Sequence, residues 1–184
     1  GGGLGAKIVS VFPRNPLLGK PMIHGLVVLL DPDSGEPQAL CDGTFLTAWR
    51  TGAGSGAATD LLARPEAKTA ALLGCGAQAR TQALAIDAVR ALDTLRVYSP
   101  TPAHVQQFIA EMQPQLNARL MAAADSAEAV READIICAAT TSAGPVFDGN
   151  LLKPGAHVNG VGSYTLQMQE VDAVTVSRAR IFVD

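Results

Sequence analysis

Residues 69–74, TAALLG, form an apolar run that passes directly into GCGAQA and then into a helical pattern over 77–92. A strand with no polar face must be covered on both sides, which requires a parallel sheet held between helical layers. The loop at its end has the form Gly74-x-Gly76-x-x-Ala79. In such a loop the first position allows a tight turn, the second lets the backbone approach a ligand, and the third lets the helix lie close on the strand.

The same rhythm continues along the chain. Strand TLRVYS (94–99) precedes a helix at 102–113, and strand RLMAAA (119–124) precedes a short helix at 126–132. Strands DIICAAT (134–140) and HVNGVG (157–162) complete the series. Alternating units of this kind specify an α/β fold, a Rossmann-type doubly wound parallel sheet. Earlier in the chain the pattern differs. KIVSVF (7–12), GLVVLLD (25–31) and PQALCD (37–42) are short β-like runs joined by the turn signals P-R-N-P and D-P-D-S-G. From Thr44 to Ala63 a helical spacing carries the small residues RTGAGSGAA, which would admit another backbone at close range. The expected organisation is a partial β-rich domain with a linking helix over 1–62, followed by a dinucleotide-binding domain over 63–184. The closing RIFVD reads as a further strand, and the two ends read as those of an internal piece of a longer protein.

Composition narrows the partners. Lys+Arg 14 against Asp+Glu 17 leaves a net charge of −3, and aromatics make up 4% of the chain. A nucleic-acid binder needs the basic face and stacking rings that this composition lacks. No run reaches the ~20 apolar residues of a membrane span. Cys41, Cys75 and Cys137 are odd in number and far apart, with neither a metal-ligand spacing nor a disulfide framework. They point to a reducing, cytoplasmic setting. The serines sit in no G-x-S-x-G elbow, so a hydrolase triad has no support.

With a strand before it and a helix after it, GCGAQA reads as a pyrophosphate site. Gly74 makes the turn, Gly76 gives the close approach, and the helix starting at Ala77 offers free N–H groups and a partial positive charge. The acid expected about 20 residues further on, to hold a ribose hydroxyl, is missing. Ser99 stands there, with Thr101 after it. A hydroxyl accepts a 2′-phosphate that a carboxylate would repel, so NADP is favoured over NAD; the same two hydroxyls also suit a helix cap. Cys75 lies near a helix N-terminus, where a thiol pKa can be lowered. It reads better as a small loop residue than as a nucleophile.

Several motifs then converge. The succession K-I-V-S-V-F-P-x-N-P, G-x-x-x-L-L-D, D-G-T-x-L-T-A-x-R-T, G-C-G-A-Q-A and K-P-G-A-H-V-N-G-V-G resembles the ornithine cyclodeaminase/mu-crystallin family over essentially the whole chain. The resemblance implies a Rossmann domain joined to a substrate and dimerisation domain built from both chain ends, and a homodimer. It implies that Lys7 and Arg50 hold a substrate carboxylate, with Arg50 also near the cofactor. A planar guanidinium suits that task through two parallel hydrogen bonds, and an ammonium adds charge. The flanking Trp49, Ala48 and small-residue helix suggest a shielded face for Arg50. By the same resemblance Ala77, Gln78, Thr140, Val161, Gly162 and Ser163 are cofactor contacts, and His24 stands where relatives often carry Gln near the nicotinamide.

One departure limits the chemistry. Cyclodeaminases follow the fifth strand with G-G-D, whose Asp is the acid/base of ammonia loss; here Val161-Gly162-Ser163-Tyr164 puts Tyr164 at that position. A phenol replaces a carboxylate base poorly at neutral pH, although it can donate a proton or hydrogen bond. The resemblance therefore implies an NAD(P)H-dependent oxidoreductase of a small α-imino or α-amino acid. That covers a ketimine or cyclic imino-acid reductase and an alanine-dehydrogenase-like enzyme. The alternatives are an ornithine cyclodeaminase-type lyase using bound NAD and a mu-crystallin-like cofactor-binding protein without catalysis.

Overall fold

Turn chemistry cuts the first part of the chain into three strands. β1 (Leu4–Val11), β2 (Ile23–Leu30) and β3 (Pro37–Asp42) pair antiparallel in the order β1-β2-β3. They are seen in a computed structural model that describes residues 3–183. Asp31 makes the second turn: its carboxylate accepts the N–H groups of Asp33 and Ser34 at 2.9 and 2.8 Å. An aspartate carboxylate bonded to its own following backbone is what turns the chain here.

α1 (Gly43–Leu62) follows without a loop. The chain divides into two compact units between Arg50 and Thr51, inside this helix. The boundary expected after residue 62 coincides with the end of α1; the compact division falls earlier because the second half of the helix packs within the second unit. A Cβ on Gly52 would lie 2.6 Å from the Thr81 carbonyl oxygen, and one on Gly56 would lie 3.2 Å from the Ala85 Cβ. At the helix end, buried Arg90 donates from Nη2 to the carbonyls of Thr59, Asp60 and Ala63, each at 2.9 Å. The Thr59 carbonyl also accepts the Ala63 N–H at 3.0 Å, and Asp60 is among the last-turn carbonyls that a helix C-terminus leaves short of donors.

The second unit continues with β4 (Thr69–Leu73), α2 (Ala77–Val89), β5 (Thr94–Tyr98), α3 (Pro102–Met112) and β6 (Arg119–Ala122). It ends with α4 (Ser126–Val130), β7 (Ile135–Ala138), β8 (His157–Gly160) and α5 (Ala173–Arg178). Its five strands are all parallel, in the order β6-β5-β4-β7-β8. The molecule is thus an α/β protein with a Rossmann-type doubly wound sheet and a separate small antiparallel sheet. Alternation along β4 builds the layers. Ala70 and Leu72 enter one apolar layer with Ala83 and Ile86 of α2 and Phe108 of α3, while Ala71 and Leu73 enter the other with Ala129 and Val130 of α4. Burial on both faces is why the run carries no polar alternation. Strand order reverses at β4, so the crevice beyond the C-terminal ends of β4 and β7 is the topological switch point. Among the described residues no helix is long and apolar enough to cross a membrane.

The end of the chain departs from expectation. Residues 180–183 form no strand, and Ile181, Phe182 and Val183 are exposed. An apolar run becomes a strand only where a neighbour takes up its backbone groups, and none does among the described residues. The helix α5 just before it was not legible, because the β-branched Val174-Thr175-Val176 favours a strand. Asp172 overrides that preference by accepting the Thr175 N–H at 2.8 Å as the helix cap.

Charge anchors the opposite end of the sheet. Asp134 accepts from the Lys68 and Thr69 N–H groups at 2.9 Å each and pairs with Arg64 at 2.8 Å and Lys153 at 2.7 Å. Burial pushes its carboxyl up, but the Lys153 bond and the Lys68 and Thr69 N–H groups outweigh this and hold it well below the usual carboxylate range. A lowered folded-state value contributes stability that is complete above the unfolded value, near pH 4, and is lost as pH falls through the folded one. Asp134→Asn is therefore expected to lower Tm at pH 7 and to flatten its fall from about pH 4 to pH 2. Calorimetric scans of both proteins across that range check it; parallel curves would contradict the assignment.

Candidate dinucleotide site

At the switch point the loop after β4 is built on Gly74 and Gly76. Gly74 leaves β4 with φ +105, and its N–H donates to the Tyr98 carbonyl at 2.9 Å. L-residues rarely adopt that conformation. A Cβ there would also lie 2.5 Å from the Ala139 carbonyl oxygen, so Gly74 fits only as glycine between the ends of β5 and β7. Two residues on, Gly76 is the N-cap of α2, in ordinary extended backbone. A Cβ on Gly76 would meet nothing within 4 Å. Open space thus lies beside the start of α2, and its N-cap, a glycine, has no side chain with which to bond the N–H groups of that helix end. Ala79 is fully buried against the sheet layer. Gln78, the second residue of α2, keeps its Oε1 buried and unbonded.

Arg80 was not legible as part of this loop. Its Nη1 donates to the carbonyls of Cys75 and Gly76 at 3.1 and 3.0 Å, and its Nε and Nη2 donate to the two oxygens of Glu111 at 2.7 and 2.5 Å. The guanidinium also stands 5.7 Å from the Phe108 ring centroid. One side chain therefore ties the glycine loop to α3. The only signal in sequence is an arginine one turn into the helix, facing a loop whose carbonyls need donors.

The neighbouring strand ends carry the other expected residues. Ser99 is half-buried and hydrogen-bonds the Cys75 thiol. Burial pushes that thiol up despite the Arg80 charge and the Ser99 bond, which corrects the lowered pKa that its place near a helix N-terminus suggests. Thr101 occupies the N-cap position of α3 but makes no side-chain capping bond. Thr140 follows β7, with its hydroxyl accepting the Ser142 N–H at 3.2 Å. After β8 come Val161, buried Gly162, Ser163 and exposed Tyr164, whose N–H turns back to the Gly162 carbonyl at 3.0 Å. Gly74, Gly76, Ala77, Gln78, Ser99, Thr101, Thr140, Val161, Gly162, Ser163 and Tyr164 all stand at the C-terminal end of the parallel sheet. In α/β sheets that is the end where ligands bind.

Lys7 and Arg50 belong to the first unit. The Lys7 ammonium on β1 lies 3.5 Å from the Thr47 hydroxyl of α1. Arg50, three residues past Thr47, is on the same helix face. It is exposed rather than shielded. His24, opposite Ser10 in the β1–β2 ladder, is exposed as well.

A glycine turn at the switch point of a doubly wound sheet defines a Rossmann-type dinucleotide-binding fold. Residues 2–184 match the ornithine cyclodeaminase/mu-crystallin family, and the chain belongs to it. It is 44% identical over 176 residues to a Delta(1)-pyrroline-2-carboxylate reductase of Bacillus cereus, covering 96% of this chain and 54% of that protein. Among solved structures it resembles the Thermococcus litoralis Delta(1)-pyrroline-2-carboxylate reductase in complex with NADH and L-proline. There the TM-score is 0.90 at 40% identity, over 95% of this chain and 54% of that one. It also resembles an archaeal alanine dehydrogenase dimer with bound NAD, with TM-score 0.92 and 30% identity over 98% of this chain and 55% of that one. The chain spans about half the length of the curated relatives it matches.

The Arg80 clamp has a measurable consequence. Arg80→Leu removes the donors from the Cys75 and Gly76 carbonyls, so amide hydrogen exchange at Gly76 and Ala77 is expected to accelerate roughly ten-fold. The core amides of β4 should exchange as before. Unchanged exchange across residues 75–78 would show that the loop holds its shape without the guanidinium.

Proposed function

We propose that the protein is an NAD(P)H-dependent oxidoreductase of a small α-imino or α-amino acid, with a cyclic imino acid as its foremost substrate. The observation that carries this is the crevice at Gly74 and Gly76: a turn that only glycine fits, open space where a Cβ would stand, and an uncapped helix end beside it. A nicotinamide dinucleotide suits that crevice, since its pyrophosphate needs close backbone approach and free N–H donors. When bound it supplies the hydride for the imine carbon.

The protein's own residues hold and polarise. Gly76, Ala77 and the following amides receive the pyrophosphate, and Gln78, Thr140, Val161, Gly162 and Ser163 line the rest of the cofactor. Ser99 and the uncapped Thr101 hydroxyl accept a 2′-phosphate, which favours NADPH over NADH. Lys7 and Arg50 bind the substrate carboxylate, Arg50 through its planar fork. Tyr164 donates a hydrogen bond at the reacting imine. With no carboxylate at its position, cyclodeamination of ornithine is disfavoured. Likeness to the alanine dehydrogenase favours reductive amination of a 2-oxo acid as the second reading. The exposed Ile8, Phe12, Leu40 and Phe45 of the first unit suit a homodimer, and the unpaired cysteines suit the cytoplasm.

Two experiments test this. Gly76→Val is expected to abolish dinucleotide binding in calorimetry while leaving Tm unchanged, because the new side chain points into open space. Wild type should oxidise NADPH steadily with a cyclic imino acid. Equal affinity in the two proteins, or binding without turnover, would overturn the corresponding part of the reading. Ser99→Asp is expected to shift the NADPH/NADH ratio of kcat/KM toward NADH by roughly ten-fold through charge repulsion with the 2′-phosphate. A wild type that already favours NADH would refute the role given to Ser99.

A further inference from the structure

Glu170 is fully buried, and the chemistry above makes no use of it. One carboxyl oxygen accepts the Thr140 N–H at 2.5 Å and the other accepts the Gly162 N–H at 2.5 Å. These donors lie just past the ends of neighbouring parallel strands. The last bonds along that edge are Ala139 N–H to the Leu73 carbonyl and Val161 N–H to the Ala138 carbonyl, both at 2.9 Å. Just past them the backbone at Gly162 packs so closely on Thr140 that no Cβ fits there, and N–H groups enclosed at this point need acceptors. Glu170 supplies both.

The carboxyl is itself fixed from several sides. The Glu170 N–H donates to the Ser163 hydroxyl at 3.0 Å, and its carbonyl accepts the Val146 N–H at 2.9 Å. Beside it, the Gln169 N–H donates to the Ser142 carbonyl at 2.9 Å. The fit is close on the far side too: a Cβ on Gly162 would lie 2.7 Å from the Glu170 Oε1 and would strike the Thr140 carbonyl. One side chain thus joins the loop after β7 to the loop after β8.

We infer that Glu170 is a positioning residue for the nicotinamide half of the cofactor, an inference that rests on the dinucleotide reading above. A doubly wound sheet binds its dinucleotide in two halves. The β4 loop and the end of β5 serve the adenosine side, which leaves the β7 and β8 ends, pinned by Glu170, to the nicotinamide side. Glu170→Gln keeps one acceptor but turns an NH2 group toward a backbone donor, so one of the two bonds is lost. The loop ends then spread while the adenosine side stays intact.

The test compares two ligands by calorimetry on the protein: NADPH, and 2′-phospho-ADP-ribose, which lacks the nicotinamide. Glu170→Gln is expected to weaken NADPH at least ten-fold and 2′-phospho-ADP-ribose less than two-fold. Glu170→Asp, which retains both oxygens, should recover part of the NADPH affinity. Equal affinities in wild type and Glu170→Gln would overturn the inference. So would equal loss for both ligands, or failure of both variants to fold, because a purely structural glutamate predicts those results. A wild type that binds neither NADPH nor NADH would instead remove the dinucleotide reading, a result distinct from any of these.

Discussion

Gly74 is where the central strand leaves the sheet, and the architecture around the crevice depends on what that residue lacks. Its N–H bonds to the end of β5, while the carbonyl after β7 occupies the space of its missing Cβ. Any side chain there would push the ends of β5 and β7 apart or swing the start of α2 away from the sheet. Close approach at this point lets fully buried Ala79 sit against the apolar layer and aims the helix end along the crevice. A turn of one residue therefore couples the packing of the core to the electrostatics of the site.

Much of this was legible because it depends on local pattern. The run TAALLG, the helix after it and the repeated βα spacing each carry their own signal, and the parallel order of the sheet follows from them. What escaped notice depends on distance along the chain. Arg90 caps carbonyls 27 to 31 positions away, and Glu170 bonds to Thr140, 30 positions away. No periodicity marks a residue whose partner is set by tertiary packing. The unit boundary inside α1 escaped for the same reason. The small residues of RTGAGSGAA announce a close contact, but only the fold shows that Gly52 and Gly56 meet α2. Over residues 180–183, local propensity points to a strand that no neighbour completes among the described residues.

The two ends of the parallel sheet solve different problems. At the N-terminal end, Asp134 gathers two backbone N–H groups, a hydroxyl and two cations. The Asp134 carboxylate is thereby fully paired, and the arrangement serves stability. At the C-terminal end the donors past β7 and β8 are absorbed by Glu170, and the carbonyls of the glycine loop by Arg80. The start of α2 is treated otherwise, since its N-cap is Gly76, which has no side chain to bond the helix N–H groups.

That contrast bears on how such a site achieves selectivity for an anion. A buried donor without an acceptor is costly, so folds compensate donors wherever packing allows. Glu170 compensates the pair nearest the strand ends and fixes their spacing. Arg80 donates to the Cys75 and Gly76 carbonyls, so that their negative ends are compensated by a guanidinium. What remains directed at the open space beside Gly76 is the helix end with its partial positive charge. On the dinucleotide reading proposed above, a frame of satisfied groups around the helix end lets a pyrophosphate bind without first displacing an internal partner, and that preorganisation is what the two long-range side chains would contribute.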